Sequence, residues 1–228
     1  MYFIVDEKNN VIFGWSAKCG CNHIKNIIHF LQTNNLENKI HLKSDYSKLP
    51  ANIEKYTTIL FIRNPYKRIV SGFLEKYNKN GQYRKLWKYD SLTFSKFIEE
   101  LIKNEWRMIE RHHFTQQTSE LFDKNKIIKS KQLVLNDIEN IDYKYIENIY
   151  NKEIPEVLLN FKGVHIRKKY DEDFNENVWD LDMNVYFNYN VSIKYFYSEE
   201  IKEKVYNFYR NDFFFFKEYG FDYENTIF

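Results

Sequence analysis

Thr58-Ile59-Leu60-Phe61-Ile62-Arg63-Asn64-Pro65-Tyr66-Lys67-Arg68-Ile69-Val70-Ser71 decides the fold. The stretch from Thr58 to Ile62 is continuously apolar and of strand length, which suits a strand buried on both faces, as in a parallel sheet. Asn64 and Pro65 form a helix N-cap and first-turn pair. Ile69, Val70, Phe73, Leu74 and Tyr77 then recur at helical spacing. Strand, loop and helix in this order build a parallel α/β fold, whose ligands sit at the carboxyl ends of the strands. Arg63 stands where the strand ends, so its guanidinium emerges at that edge. Ser71 lies about two turns into the helix, at an offset that faces back toward Arg63. An arginine fork with a hydroxyl suits a terminal phosphate monoester. Lys67 and Arg68 read as solvated helix charges.

The same pattern occurs upstream. Val11-Ile12-Phe13 reads as a strand, pairing with Tyr2 to Val5 across Asn9-Asn10. A loop from Gly14 to Cys21 follows, then Ile24, Ile27, Ile28 and Leu31 share a helical face, with Asn22 as N-cap. Lys18-Cys19-Gly20-Cys21-Asn22-His23 thus lies between a strand and a helix start, where backbone N–H groups and the helix dipole favour an anion. Gly20 lets several N–H groups converge on one phosphate, and Lys18 adds a point charge. An ordinary strand-to-helix turn with a solvated lysine is the alternative. The loop of a nucleotide triphosphatase, G-x-x-x-x-G-K-[ST], is absent: the lysine precedes the glycine and no Ser or Thr follows.

Further on, Phe94 to Ile102 and Tyr143 to Tyr150 read as helices and Gln132 to Leu135 as a third core strand. Ser198-Glu199-Glu200 opens a last helix whose Ile201, Val205, Phe208 and Tyr209 share a face. Asn78 to Asp90 and Lys168 to Asn190 read as surface loops. The expectation is one α/β domain over residues 1–228, with a central, mainly parallel sheet flanked by helices.

Composition narrows the function. The 34 Lys+Arg and 32 Asp+Glu leave a formal charge of +2, with no basic stripe of the kind a nucleic-acid binder carries, so no nucleic-acid partner is expected. Any anionic ligand is met by a few placed cations. The 19 Tyr and 20 Phe fit the coding bias of an AT-rich genome, or a ring-binding platform that the sequence does not localise. No apolar run nears the roughly 20 residues of a membrane helix, and Asp6 comes too early for a signal-peptide core, so neither membrane insertion nor secretion is expected. Cys19 and Cys21 are one residue apart, a poor spacing for a mutual disulfide, and complete no zinc set. A reducing, cytoplasmic setting and a site without metal follow as expectations.

Taken together, these residues resemble the PAPS-dependent sulfotransferases. Trp15 to Leu31 looks like the family's 5′-phosphosulfate-binding loop, and Phe61 to Tyr77 like its 3′-phosphate-binding strand, loop and helix. The run R-N-P-Y-x-R-x-V-S from Arg63 to Ser71 is nearly the family pattern. Residues 198–220 look like the C-terminal helix of the carbohydrate (Golgi-type) branch, here without a membrane anchor. Ala17 replaces a usual Pro, and Asn22 and His23 stand where the family has hydroxyl side chains.

The resemblance implies a P-loop-like sulfotransferase fold, PAPS as donor with PAP as product, and a hydroxyl-bearing, carbohydrate acceptor. It assigns Lys18 to the bridging oxygen, Lys18, Cys19, Gly20, Cys21, Asn22 and His23 to the 5′-phosphosulfate, and Arg63 and Ser71 to the 3′-phosphate. The run His113-Phe114-Thr115-Gln116-Gln117 looks like a degenerate H-W-x-P-Q segment of the carbohydrate branch, with Gln116 in place of Pro. His113 is therefore the candidate general base, since histidine titrates near neutrality, with His112 in reserve. His29, His41 and His165 are poor candidates by position. The alternative has the two histidines merely capping a preceding helix whose Arg107, Glu110 and Arg111 are solvated. Arg167, Lys168 and Lys169 form a basic cluster that reads as surface, with the 3′-phosphate or an anionic acceptor as the functional option. Two rival functions stay open: a nucleotide-dependent kinase, and a non-catalytic nucleotide- or glycan-binding relic suggested by Asn22 and His23.

Overall fold

The computed structural model describes residues 1–36, 48–103, 106–118, 124–160 and 172–225. His41, His165 and the Arg167–Lys169 cluster lie outside them. The chain divides into two compact units: Met1–Arg63 with Ser119–Ile166, and Asn64–Thr118 with Arg167–Phe228.

The first unit is the sheet unit. Strands β1 (Tyr2–Asp6), β2 (Val11–Trp15), β3 (Thr57–Ile62) and β4 (Gln132–Asp137) lie in the order β1-β2-β3-β4. β1 runs antiparallel to β2, pairing Tyr2 with Trp15 and Asp6 with Val11. The other pairs are parallel, Val11 beside Thr57 and Thr57 beside Gln132. The hairpin turn is held by Asp6, whose carboxylate accepts from the Asn9 backbone at 3.1 Å and its side-chain amide at 3.1 Å. The strand β2 runs two residues further than expected, through Gly14 and Trp15, so the loop is confined to residues 16–20.

Alternate residues of the two inner strands, Val11, Phe13, Trp15, Ile59 and Phe61, point to one face. There they join Ile24, Ile27, Ile28 and Leu31 of helix α1 (Cys21–Thr33) in one core. Each such side chain contributes roughly 1.5–3 kcal/mol by leaving water. Helices flank the sheet as expected, and the α/β architecture with a mainly parallel sheet stands.

Between β3 and β4 the chain builds much of the second, helical unit: α2 (Pro65–Lys76), α3 (Phe94–Lys103) and the single turn α4 (Arg111–Phe114). After a short α5 (Lys124–Ile127) come β4, α6 (Tyr143–Tyr150) and α7 (Glu156–Leu159) of the first unit. The second unit resumes with β5 (Asp173–Phe174), α8 (Met183–Tyr186), β6 (Asn190–Val191), α9 (Glu199–Phe208) and α10 (Arg210–Glu218). The expected last helix is thus two helices meeting at Tyr209. The stretch 172–190 is no surface loop throughout, because Val178, Met183 and Tyr186 are buried there.

The aromatic residues have a structural use in this unit. Phe73 and Phe97 lie 5.0 Å apart between ring centroids, Phe97 and Phe114 5.0 Å, and Tyr66 and Phe213 5.0 Å. Such tilted and edge-on pairs add to area burial. Gly72 on α2 admits the Phe114 ring, since a Cβ there would stand 2.7 Å from it.

Candidate active site

In the first unit, three parallel strands bring their carboxyl ends together. After β2 the backbone turns sharply: the Ser16 carbonyl accepts from the Cys19 N–H at 3.2 Å, and Lys18 and Gly20 adopt φ of 70° and 69°. Left-handed residues interleaved with ordinary ones aim successive N–H groups into a concavity that suits an anion. Gly20, not the expected Asn22, is the N-cap of α1, and it has no side chain to place over the helix end. The first turn of α1, Cys21-Asn22-His23, carries no acidic residue to compete for the dipole. Only glycine suits position 20. Its φ is left-handed, and an added Cβ would stand 2.5 Å from Ile138 Cδ1.

From the end of β3, Arg63 Nη1 donates to the Lys18 carbonyl at 3.2 Å. Its Nη2 meets Glu139 Oε1 at 3.5 Å, with the arginine side chain 21% exposed. Glu139 follows β4, where the Ile138 N–H donates to the Ile62 carbonyl at 2.9 Å. Lys18, Arg63 and Glu139 therefore come from the ends of three neighbouring strands. The expectation that both loops open on one edge of the sheet is met, and the position of Arg63 at that edge with it.

His23 is partly committed elsewhere. Its Nε2 is 2.7 Å from the Tyr143 hydroxyl, and burial holds its pKa below the ordinary 6.5, so the ring is neutral at pH 7. A neutral ring offers a hydrogen bond rather than a charge. The next cation along α1 is Lys25, which the sequence reading passed over. It is 1% exposed, within a run of otherwise polar and apolar neutral residues. Fully buried lysines are rare, so a lysine interrupting such a run was the available signal. Neither Cys19, which lies within the core, nor Cys21 is in a disulfide.

The second unit holds Ser71, half-buried in the second turn of α2, and the two histidines. The α2 cap is as expected: Asn64 Oδ1 accepts from the Tyr66 N–H at 2.9 Å, with Pro65 in the first turn. Arg68 is not solvated. It is 1% exposed, and its Nη1 donates to the Thr115 carbonyl at 2.8 Å.

Nor is Glu110 a solvated helix charge. It caps α4, accepting from the backbone N–H of His112 at 2.7 Å and of His113 at 3.0 Å, and contacts His113 Nδ1 at 2.5 Å. The histidines lie inside that turn, and the carboxylate is the cap. Burial would raise the Glu110 carboxyl, but the His113 ring and the backbone donors outweigh it and hold the group below its ordinary value. An ionised carboxylate on Nδ1 orients an imidazole and leaves Nε2 for a proton in transit. His112 is exposed, with its pKa lowered by desolvation and by the neighbouring His113.

Beyond His113 the backbone is pinned residue by residue. The Phe114 carbonyl accepts from Tyr209 Oη at 2.6 Å, and the Thr115 carbonyl from Arg68. Gln116 Nε2 donates to the Phe208 carbonyl at 2.5 Å. The N–H groups of Gln117 and Thr118 donate to Asp212 at 2.8 and 2.7 Å. Asp212 is fully buried, and burial raises its pKa against the pull of those bonds and of Arg68. Its role had no local signal, since its partners lie some 94 residues away in sequence.

A family model described as the sulfotransferase family matches residues 1–220. The chain belongs to the sulfotransferase family. No curated protein and no solved structure matches it significantly. Membership makes the chain a transferase of sulfuryl groups, with an acceptor substrate. Among the described residues, no helix is long and apolar enough to cross a membrane.

Proposed function

We propose that this sulfotransferase moves a sulfuryl group from PAPS to a carbohydrate hydroxyl, with residues 1–228 acting as one sulfotransferase domain. The observation that carries the reading is the meeting of Arg63 with the left-handed Lys18 loop at the carboxyl edge of the sheet. The residues present fit a doubly phosphorylated nucleotide: a glycine-capped helix end without acidic residues, a lysine beside it and an arginine fork across it.

In this reading the loop from Lys18 to His23 binds the 5′-phosphosulfate, and Arg63 and Ser71 bind the 3′-phosphate. The acceptor oxygen forms a bond to sulfur as the bond from sulfur to the bridging phosphate oxygen breaks. His113 takes the hydroxyl proton at Nε2, its imidazolium stabilised by Glu110 at Nδ1. Lys18 offsets the charge on the leaving oxygen of PAP. Positioning and electrostatics supply most of the acceleration, as in phosphoryl transfer.

Calorimetric titration with PAP and with ATP, each with and without magnesium, tests the donor class. Tight PAP binding without metal is expected; binding of magnesium-ATP alone would make the chain a kinase. Turnover of labelled PAPS over a panel of sugars tests the chemistry. His113→Ala keeps PAP affinity and loses transfer by roughly 10²–10⁴-fold. PAP binding with no turnover on any acceptor would make the protein a binding relic.

A further inference from the structure

We infer that Glu139 is a built-in competitor for Arg63, a carboxylate that takes the guanidinium when the 3′-phosphate is absent and so lowers the affinity of the site for its nucleotide. This rests on the reading above that Arg63 binds the 3′-phosphate.

Asp137, Glu139 and Asp142 put carboxylates at the carboxyl end of β4, on the very edge of the sheet that suits an anion. Two of them have local uses. Asp137 Oδ1 accepts from the Glu139 N–H at 2.9 Å, and Asp142 Oδ1 accepts from the Tyr145 N–H at 2.9 Å as the cap of α6. Glu139 instead crosses to the end of the neighbouring strand, its Oε1 3.5 Å from Arg63 Nη2.

The backbone that carries Glu139 is fixed. The Ile138 N–H donates to the Ile62 carbonyl at 2.9 Å, which continues the pairing of β3 and β4 past the strand ends. The Asn140 N–H donates to the Asp137 carbonyl at 2.9 Å and closes the turn. The Ile138 side chain fills the space that a Cβ on Gly20 would take. One short turn thus packs against the cap of α1 and presents a carboxylate to Arg63. The Glu139 side chain itself is 33% exposed, so it has water to turn into when it is displaced.

Magnitudes decide which anion holds the arginine. An ion pair at 3.5 Å with both partners reached by water is weak. A charge-assisted bond from the guanidinium to a phosphate is stronger. The phosphate therefore wins, but its binding carries the cost of breaking the pair and of leaving a carboxylate beside a doubly charged group. Arg63 Nη1 keeps its bond to the Lys18 carbonyl at 3.2 Å, and Nη2 changes partner from carboxylate to phosphate. Donor and product share the 3′-phosphate, so every turnover must break the bond that Arg63 makes to it. Glu139 replaces that bond as PAP leaves.

The test is calorimetry on the full chain with PAP and with adenosine 5′-phosphate, which lacks the 3′-phosphate. Glu139→Gln removes the charge and keeps the shape. It should tighten PAP by about 3- to 5-fold and leave adenosine 5′-phosphate unchanged. Glu139→Ala should act in the same direction, and thermal denaturation checks that both variants are folded. Unchanged PAP affinity, or equal tightening of both nucleotides, would overturn the inference. Weaker PAP binding would overturn it too, because Glu139 would then orient Arg63 rather than compete for it. A wild-type chain that binds no PAP removes the donor reading and this inference with it. PAP binding that Arg63→Ala abolishes but Glu139→Gln does not tighten removes the competition alone.

Discussion

The two strand-to-helix crossings of this chain handle the same physical problem in opposite ways. Every helix begins with N–H groups that have no partner within the helix. At α2 the sequence supplies one itself, with Asn64 accepting from Tyr66 and Pro65 needing none. At α1 the cap is Gly20, without a side chain and with φ of 69°, preceded by Lys18 at 70°. The first crossing thus leaves backbone N–H groups at a left-handed, side-chain-free helix end, whereas the second is closed by its own cap and carries Arg63 at its strand end. In the proposed reading one loop would bind through its backbone and the other through a side chain, and substitutions at the two should differ in kind.

The largest effect is expected from Arg63→Ala. It removes the fork at the sheet edge and the tie to the Lys18 carbonyl, lowering PAP affinity by about 100-fold in calorimetry. An unchanged affinity would place the 3′-phosphate elsewhere. Gly20→Ala comes next. The left-handed backbone and the 2.5 Å approach to Ile138 predict a loss of roughly 1–3 kcal/mol in chemical denaturation, with weaker PAP binding alongside. Asn64→Ala should cost about 1 kcal/mol of stability through the lost cap and leave PAP affinity as it was. If it weakened PAP binding as much as Gly20→Ala, the contrast between an open and a closed helix end would fail.

The smallest effect concerns pH. Burial holds His23 below 6.5 in the folded chain, so the unfolded chain takes up that proton first. Stability contributed by the neutral ring is present above about pH 6.5 and is lost as pH falls below it. Denaturation midpoints at pH 7.5 and 5.5 should therefore differ less in His23→Asn than in the wild type. His112, also shifted down, contributes in the same direction and keeps the variant's slope above zero.

Legibility followed the range of each interaction. The buried strand β3, the Asn64 cap and the position of Arg63 all follow from residues within one or two turns of one another, and all were readable. The cap of α1 was misplaced by two residues. Asn22 is a favoured cap type, but what sets the helix start is the left-handed Gly20, which propensity does not see. Glu110 could have been found, because a carboxylate three residues before His113 is the spacing of a helix cap and of an i,i+3 pair. Arg68 could not: beside Lys67 on a helix it looks solvated, and only the folded chain brings the Thr115 carbonyl to it.

From the sequence alone came the α/β class and the resemblance to the sulfotransferases, because local periodicity and short loop patterns are written in consecutive residues. The tertiary structure decided the rest: which charges are buried, that Glu110 orients His113, and that Tyr209, Arg68 and Asp212 pin the chain after it. Those contacts join residues far apart in the chain, and buried charges persist only where such partners meet them, which no local pattern specifies.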